Sequence, residues 1–432
     1  MKKSRSLAVF VLSLTLFAAA LPTTKLTDLQ TKAEHGDPGA QVELGNAYRL
    51  GSAGIPDKSA ALRWYRQAAE QGSALAQFNL GVMYEHGDGV PRYIAEAVKW
   101  YRQAADQGYA AAQYNLGVMY ADGVGVRQDS ATAVSWWRRA AEQGDAEAQT
   151  NLGEMYARGF GVAQDKHEAL QWFRRAAAQG SANARYSVGR IYDNGYGVPQ
   201  QRGEAVVWYR HAAEQGHLDA QKRLGEMYAK GQGVPPDRAE AEKWWRQAAG
   251  QGDAGAQYSL GVMYAHGAGG PPDYAEALQW YRQAATQDLA EAKSNLGAMY
   301  EHGEGVPPDS TEAARWYRKA AEQDLAEAQY NLGSLYARGA GVPPDSAEAV
   351  QWYRKAAEQG FVPAMHHLGV ALLNAATTDR PEAFTWLFAA SALGSAPSRD
   401  LLHSLEGKLP REDIVAAEKS ARALLERLPK NE

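Results

Sequence analysis

The chain predicts an all-α fold, a solenoid of about ten stacked helix-turn-helix units. Three observations carry this: a 36-residue period that holds register from Gly36 to Gln359, helix-spaced apolar residues in both halves of each period, and cap residues where helices must start and stop. A period of that length is one helical hairpin, which cannot bury its apolar face alone and so stacks on its copies. Nine repeats fill residues 36–359, the second running Gly72–Gln107 and the ninth Asp324–Gln359, and a degenerate tenth covers 360–394. Because an array grows by adding units rather than cores, the 432 residues are read as one elongated domain.

The first element is an address. Lys2, Lys3 and Arg5 precede an apolar run from Leu7 and a small-residue exit at Ala18, Ala19 and Ala20, the pattern of a secretory signal peptide over residues 1–20. The alternative is an uncleaved N-terminal anchor. No later segment approaches 18 uninterrupted apolar residues, so no membrane insertion is expected after cleavage, and the mature chain is expected in the periplasm or secreted. With no cysteine there is no disulfide, thiol chemistry or lipid attachment to expect, and packing alone must hold the fold. Loss of the three leader cations leaves 42 basic residues against 50 acidic ones, a net charge of −8 with both signs interspersed. That balance speaks for solubility and against a nucleic-acid partner.

Residues 21–35 come next, and Thr27–His35 resembles the second half of a repeat, a polar N-terminal cap. Within a repeat, counted from 1 to 36, the first helix carries Ala at position 5 (Ala40 to Ala364), Leu or Val at position 9 and, in nine repeats, Tyr at position 13 (Tyr48 to Tyr336). Spacing of i, i+4, i+8 sets these on one face, the core face. Position 10 is Gly in all ten, from Gly45 to Gly369, although a mid-helix Gly costs about 1 kcal/mol against Ala. Close approach of a neighbouring helix or of a large ring is the compensating gain to expect.

The loop follows with Gly at position 16 and usually 18, the C-cap signal, and then Asp at position 22 with Glu three residues on, as in Asp165/Glu168, Asp237/Glu240, Asp273/Glu276, Asp309/Glu312 and Asp345/Glu348. The alternative, calcium, requires an Asp/Asn ladder that is missing. The second helix carries Trp at position 29, from Trp64 to Trp386, an aromatic at position 30, which includes Trp137 and Trp245, and Arg at position 31, from Arg66 to Arg354. The tryptophans read as core, with sugar stacking as the other possibility. The arginines read as helix-end charges paired with an acid four residues on, such as Arg66 with Glu70 or Arg318 with Glu322, or else as a ladder for an acidic partner or polysaccharide. Residues 395–432, with Arg399–Glu406 and Arg411–Arg427 helical, close the array as a C-terminal cap.

The pattern A-x3-LG-x2-Y-x2-G-x-GV-x-x-D-x2-EA-x2-WY-x-x-AA-x-x-G resembles that of the Sel-one-like repeat (SLR) family, relatives of the tetratricopeptide repeats, over residues 36–394. The resemblance implies a right-handed superhelix of antiparallel helix pairs that acts as an adaptor or scaffold for protein complexes. In bacteria it implies export and roles in envelope assembly, signalling, exopolysaccharide secretion or host contact. One exported branch is cysteine-rich and linked to penicillin binding, a feature from which this cysteine-free chain departs.

Helix geometry sets positions 7 and 11 of the first helix opposite the core face, on the wall that lines the concave side of such a superhelix. The resulting candidate partner-binding residues are Phe78, Val82, Tyr114, Val118, Tyr186, Tyr258, Val262 and Tyr330, apolar where exposure is expected. The alternative is that curvature presses these rings against neighbouring repeats. No catalytic, cofactor or metal site is expected: His86, His266 and His302 recur one repeat or more apart, too far to share an ion, and no hydrolase or phosphate-loop motif occurs. The function expected is that of a non-enzymatic adaptor with a protein partner, a polysaccharide being possible. A penicillin-recognising hydrolase or wall-binding protein is the alternative.

Overall fold

The structure, a computed structural model, describes residues 22–267, 270–374, 380–405 and 411–428. The leader at 1–20 lies outside the described residues, as do the loop 375–379 of repeat ten and residues 406–410 of the C-terminal cap. Among the described residues there are twenty-three helices and no strand. The chain forms two compact halves, one ending at His217 and the other beginning at Leu218. Each is a stack of hairpins whose cores lie between successive helices.

Repeat three shows how the sequence builds a hairpin. Its first helix, Ala110–Asp122, ends at Gly123, whose φ of +70° allows the left-handed turn that a side chain would strain. Its second helix, Ser130–Glu142, starts at Asp129, whose carboxylate accepts the amides of Ala131 and Thr132. Ala112, Leu116 and Met119 from the first helix pack with Ala97, Val98, Tyr101, Ala104 and Ala105 of the preceding repeat, and Ala133, Val134, Trp137, Ala140 and Ala141 from the second pack with Ala148 and Leu152 of the next, all buried. The same caps recur: Asp165, Asp237, Asp273, Asp309 and Asp345 each accept the amide of the glutamate three residues on. The glutamate side chain points elsewhere than the box pattern implies. Glu168, Glu240, Glu276 and Glu348 accept the indole N–H of the tryptophan one turn ahead.

Position 10 is where the two helices touch. A Cβ on Gly45 would stand 2.6 Å from the Tyr65 ring and one on Gly189 2.6 Å from Tyr209, and the same position-30 ring meets Gly81, Gly117, Gly153, Gly225, Gly261, Gly297 and Gly333. An aromatic side chain buries some 150–250 Å², about 4–6 kcal/mol at ~25 cal/mol/Å², against about 1 kcal/mol of lost propensity. The ring therefore wins. Adjacent residues on a helix differ by about 100°, so only position 30 can face the glycine. The position-29 tryptophans consequently lie at the edge of the core: Trp172, Trp244 and Trp386 are buried and the others half-buried, a correction to the reading of all of them as core.

Two polar ties recur between successive repeats. Buried Gln77 donates to the Ala69 carbonyl of the preceding repeat and accepts from Gln107 at the end of its own, and Gln41, Gln113, Gln149, Gln257 and Gln329 repeat the relay. The position-31 arginine donates to the position-13 tyrosine hydroxyl of the following repeat, at 2.7 Å for Arg66–Tyr84, Arg138–Tyr156 and Arg246–Tyr264 and 2.9 Å for Arg282–Tyr300; Arg102–Tyr120, Arg174–Tyr192 and Arg318–Tyr336 do the same. This corrects the expectation of local acid partners such as Glu70. At the N-terminal end the helix Thr23–Glu34 packs Leu29 and Ala33 on repeat one, and its Gln30 takes the arginine's place on Tyr48. In repeat ten, where Leu372 replaces the tyrosine, Arg354 turns to both oxygens of Glu382. The helices Ala396–Leu405 and Arg411–Arg427 close that end over Phe384 and Leu387.

Candidate partner-binding face

The first helices present positions 7 and 11 along one side of each half, and all eight candidate side chains are half-buried there. Phe78 sits between the Tyr101 ring of its own repeat, 5.7 Å away, and Tyr109 of the next, 5.1 Å away. Tyr186 lies 5.5 Å from Tyr209 and stacks on His217 at 4.5 Å. In the second half Tyr258 lies 5.9 Å from Tyr281, and Tyr330 lies 5.8 Å from Tyr353 and 5.5 Å from Phe361. Tyr114 takes the indole N–H of Trp137 on its backbone carbonyl, and burial pushes its hydroxyl up to about 12. Each ring has one side on the core and one side toward solvent, which replaces the expectation of a fully exposed stripe. The position-30 ring reaches past the glycine and gives the position-7 ring a floor. Val82, Val118 and Val262 flank these rings on the same cores.

The character of the face changes along the array. Position 11 is Val82 and Val118 in repeats two and three but Glu154 and Arg190 in repeats four and five. In the second half it passes from Glu226 through Val262 to Ala298 and Ser334. Near Tyr114, burial also raises the carboxyls of Asp145 and Glu147 above the usual range.

Other polar groups are taken up by the fold. His86 and His266 turn Nδ1 onto the carbonyls of Val82 and Val262 one turn back, each at 2.9 Å. His366 meets the Ser398 hydroxyl at 2.9 Å, but Ser398 is wholly buried and cannot reach a substrate. Among the described residues no three His, Asp or Glu side chains stand close enough to hold a metal ion, and no helix is long and apolar enough to cross a membrane. On the opposite face, cations cover the tryptophans: Arg139 over Trp136 at 4.6 Å, Lys319 over Trp316 at 4.4 Å and Lys355 over Trp352 at 4.0 Å. Those ring faces are already stacked.

The family model for the Sel1 repeat matches ten consecutive segments without a gap, from 38–73 to 362–395, two residues out of phase with the frame read from the sequence. Among solved structures the chain is similar to c5321, a protective antigen present in uropathogenic Escherichia coli strains displaying an SLR fold, with 34% identity, 93% of this chain and 94% of that one covered, and a TM-score of 0.64. It is also similar to a Sel1 repeat protein from Oxalobacter formigenes, with 36% identity, 72% and 91% covered, and a TM-score of 0.58. A comparison with curated proteins finds no match. Ten matched segments in register, with the Gly–ring contact repeated in the first nine hairpins, place the chain in the Sel1 repeat family.

Proposed function

We propose that the protein is an exported, non-enzymatic adaptor that binds a protein partner along its first-helix face, in envelope assembly, signalling or host contact. Sel1 repeat proteins are scaffolds that typically work through protein–protein contacts. The observation that carries the reading to this face is the set of half-buried rings on each half, Phe78, Tyr114 and Tyr186 in the first and Tyr258 and Tyr330 in the second. A ring fixed on one side and open on the other loses little side-chain freedom when a partner covers it, which is what aromatic anchors at interfaces supply. Export rests on the leader pattern at residues 1–20. Sugar stacking on the tryptophans is disfavoured by the cations already over Trp136, Trp316 and Trp352.

The test uses Val82→Glu/Val118→Glu. Glu154 and Glu226 occupy the same repeat position, so the fold accepts the change. The wild-type chain is expected to capture a defined band from envelope extract of its host and the double variant to lose it, with melting temperatures within a few degrees. Equal capture by a folded variant refutes the face. Recovery of the chain from the host at full length in the cytosol refutes export.

A further inference from the structure

One cleft on the first-helix face is unlike its counterparts. Between repeats four and five, the helices Ala146–Arg158, Lys166–Ala178 and Ala182–Asn194 enclose about 290 Å³. The buried Phe173 ring forms its apolar wall, and Glu154, Arg158, Lys166, Arg190 and Tyr196 stand around it. Glu154 is paired with Arg158. The two remaining cations meet only rings: the Lys166 ammonium lies 4.8 Å from the centre of Tyr196 and the Arg190 guanidinium 5.9 Å from that of Tyr186. Among the described residues no carboxylate pairs with either.

The same positions one repeat earlier are Val118, Asp122, Ser130, Glu154 and Phe160, which carry two negative charges and no positive one. Between repeats eight and nine they are Ala298, His302, Ser310, Ser334 and Ala340. The cleft's three cations against one carboxylate are therefore a local reversal on a chain of net charge −5. At its mouth, position 17 of the loop is the exposed Tyr196, where repeats one to three carry Ser52, Asp88 and Val124. Two cations with open donors beside an exposed ring are suited to carboxylates flanked by apolar side chains.

We infer that this cleft docks an acidic peptide segment of the protein partner, with Arg190 and Lys166 taking Asp or Glu carboxylates and Tyr196 and the Phe173 wall taking the apolar side chains between them. The inference rests on the reading of the first-helix face as the partner surface and names the chemistry of what binds there. A volume of 290 Å³ is at the bottom of the range for small-molecule pockets, about 300–1,000 Å³, and suits side chains inserted from a strand of peptide. Lys166 already covers the Tyr196 ring, which favours a peptide over a stacked sugar.

The experiment is fluorescence anisotropy of the full chain with three labelled probes: a decapeptide of alternating Glu and Leu, its Lys-Leu counterpart, and polygalacturonate. The Glu-Leu peptide is expected to bind, more weakly as salt rises, and the Lys-Leu peptide not to bind. Lys166→Ser/Arg190→Glu, which installs the native residues of Ser130 and Glu154 at equivalent positions, is expected to weaken the Glu-Leu peptide at least about tenfold with the melting curve unchanged. No binding of that peptide, or equal binding by the variant, overturns the inference. Tighter binding of polygalacturonate that the same variant abolishes overturns it too and assigns the cleft to an anionic polysaccharide. If the Lys-Leu peptide binds instead and Val82→Glu/Val118→Glu removes it, the acidic-segment inference falls while the adaptor reading stands. Unaltered envelope capture by that valine variant sinks the adaptor reading itself.

Discussion

At Gly189 the two sides of a substitution can be weighed directly. Leucine there improves helix propensity by about 1 kcal/mol, but its Cβ alone would stand 2.6 Å from the Tyr209 ring, and overpacking a filled core costs about 1–3 kcal/mol. Gly189→Leu is therefore expected to lower the melting temperature followed by circular dichroism, and a raised one would show that the ring has room to move. The rings that fill these sites also set an alkaline limit. Burial pushes the Tyr65 hydroxyl up to about 12 and moves Tyr101, Tyr281 and Tyr317 in the same direction. The unfolded chain releases these protons near pH 10, earlier than the native one, so the stabilisation is intact below about pH 10 and drains away as pH rises toward 12. Tyrosinate absorbance and helix content should then change together above pH 10. A tyrosinate signal from all the tyrosines near pH 10 with helix intact would refute this.

Between elements, repeat eight makes the seam differently. Lys293 stands where most other repeats have the relay glutamine, buried to 5% exposure, and its ammonium pairs at 2.5 Å with Asp288, which occupies the left-handed position (φ +71°) usually held by glycine. Asp288→Gly alone strands a buried ammonium and is expected to lower the melting temperature. Adding Lys293→Gln should restore stability to at least the starting value, since the relay returns and the strained aspartate is gone. A double variant no better than the single one would show the relay does not form. The elements were largely legible beforehand because caps, period and core face are local in sequence: Gly123 and Asp165 announce a stop and a start by themselves. The partners of Arg66 and Phe78 were not legible. Which side of a helix meets the next repeat depends on how hairpins stack, so Arg66 reaches Tyr84 of the next repeat rather than Glu70, and Phe78 lies on Tyr109 rather than in water. The cleft cations Lys166 and Arg190 are 24 positions apart and belong to different repeats, and only the departure of position 11 from valine hinted at them.

For the molecule as a whole, no single core holds the two ends, and each end needs its own cover. The helix Arg411–Arg427 buries Ala417 and Ala421 against the tenth repeat, where Phe384, Trp386 and Leu387 are otherwise core. Ending the chain at Leu405 is expected to produce self-association in light scattering while leaving helix content per residue nearly unchanged; a monomeric truncated chain would show that the last helix covers nothing essential. The ties between repeats carry a different kind of consequence. Arg66–Tyr84 and Gln77–Ala69 use the same positions as Arg282–Tyr300 and Gln329–Ala321, so the tail of one repeat fits the head of almost any other. Recombination that copies or drops 36 codons leaves such seams whole, except at special joints such as Lys293 with Asp288. Copy number is thereby freed to drift between relatives, whereas a cleft made jointly by Lys166 and Arg190 is inherited only as an unbroken pair of neighbours.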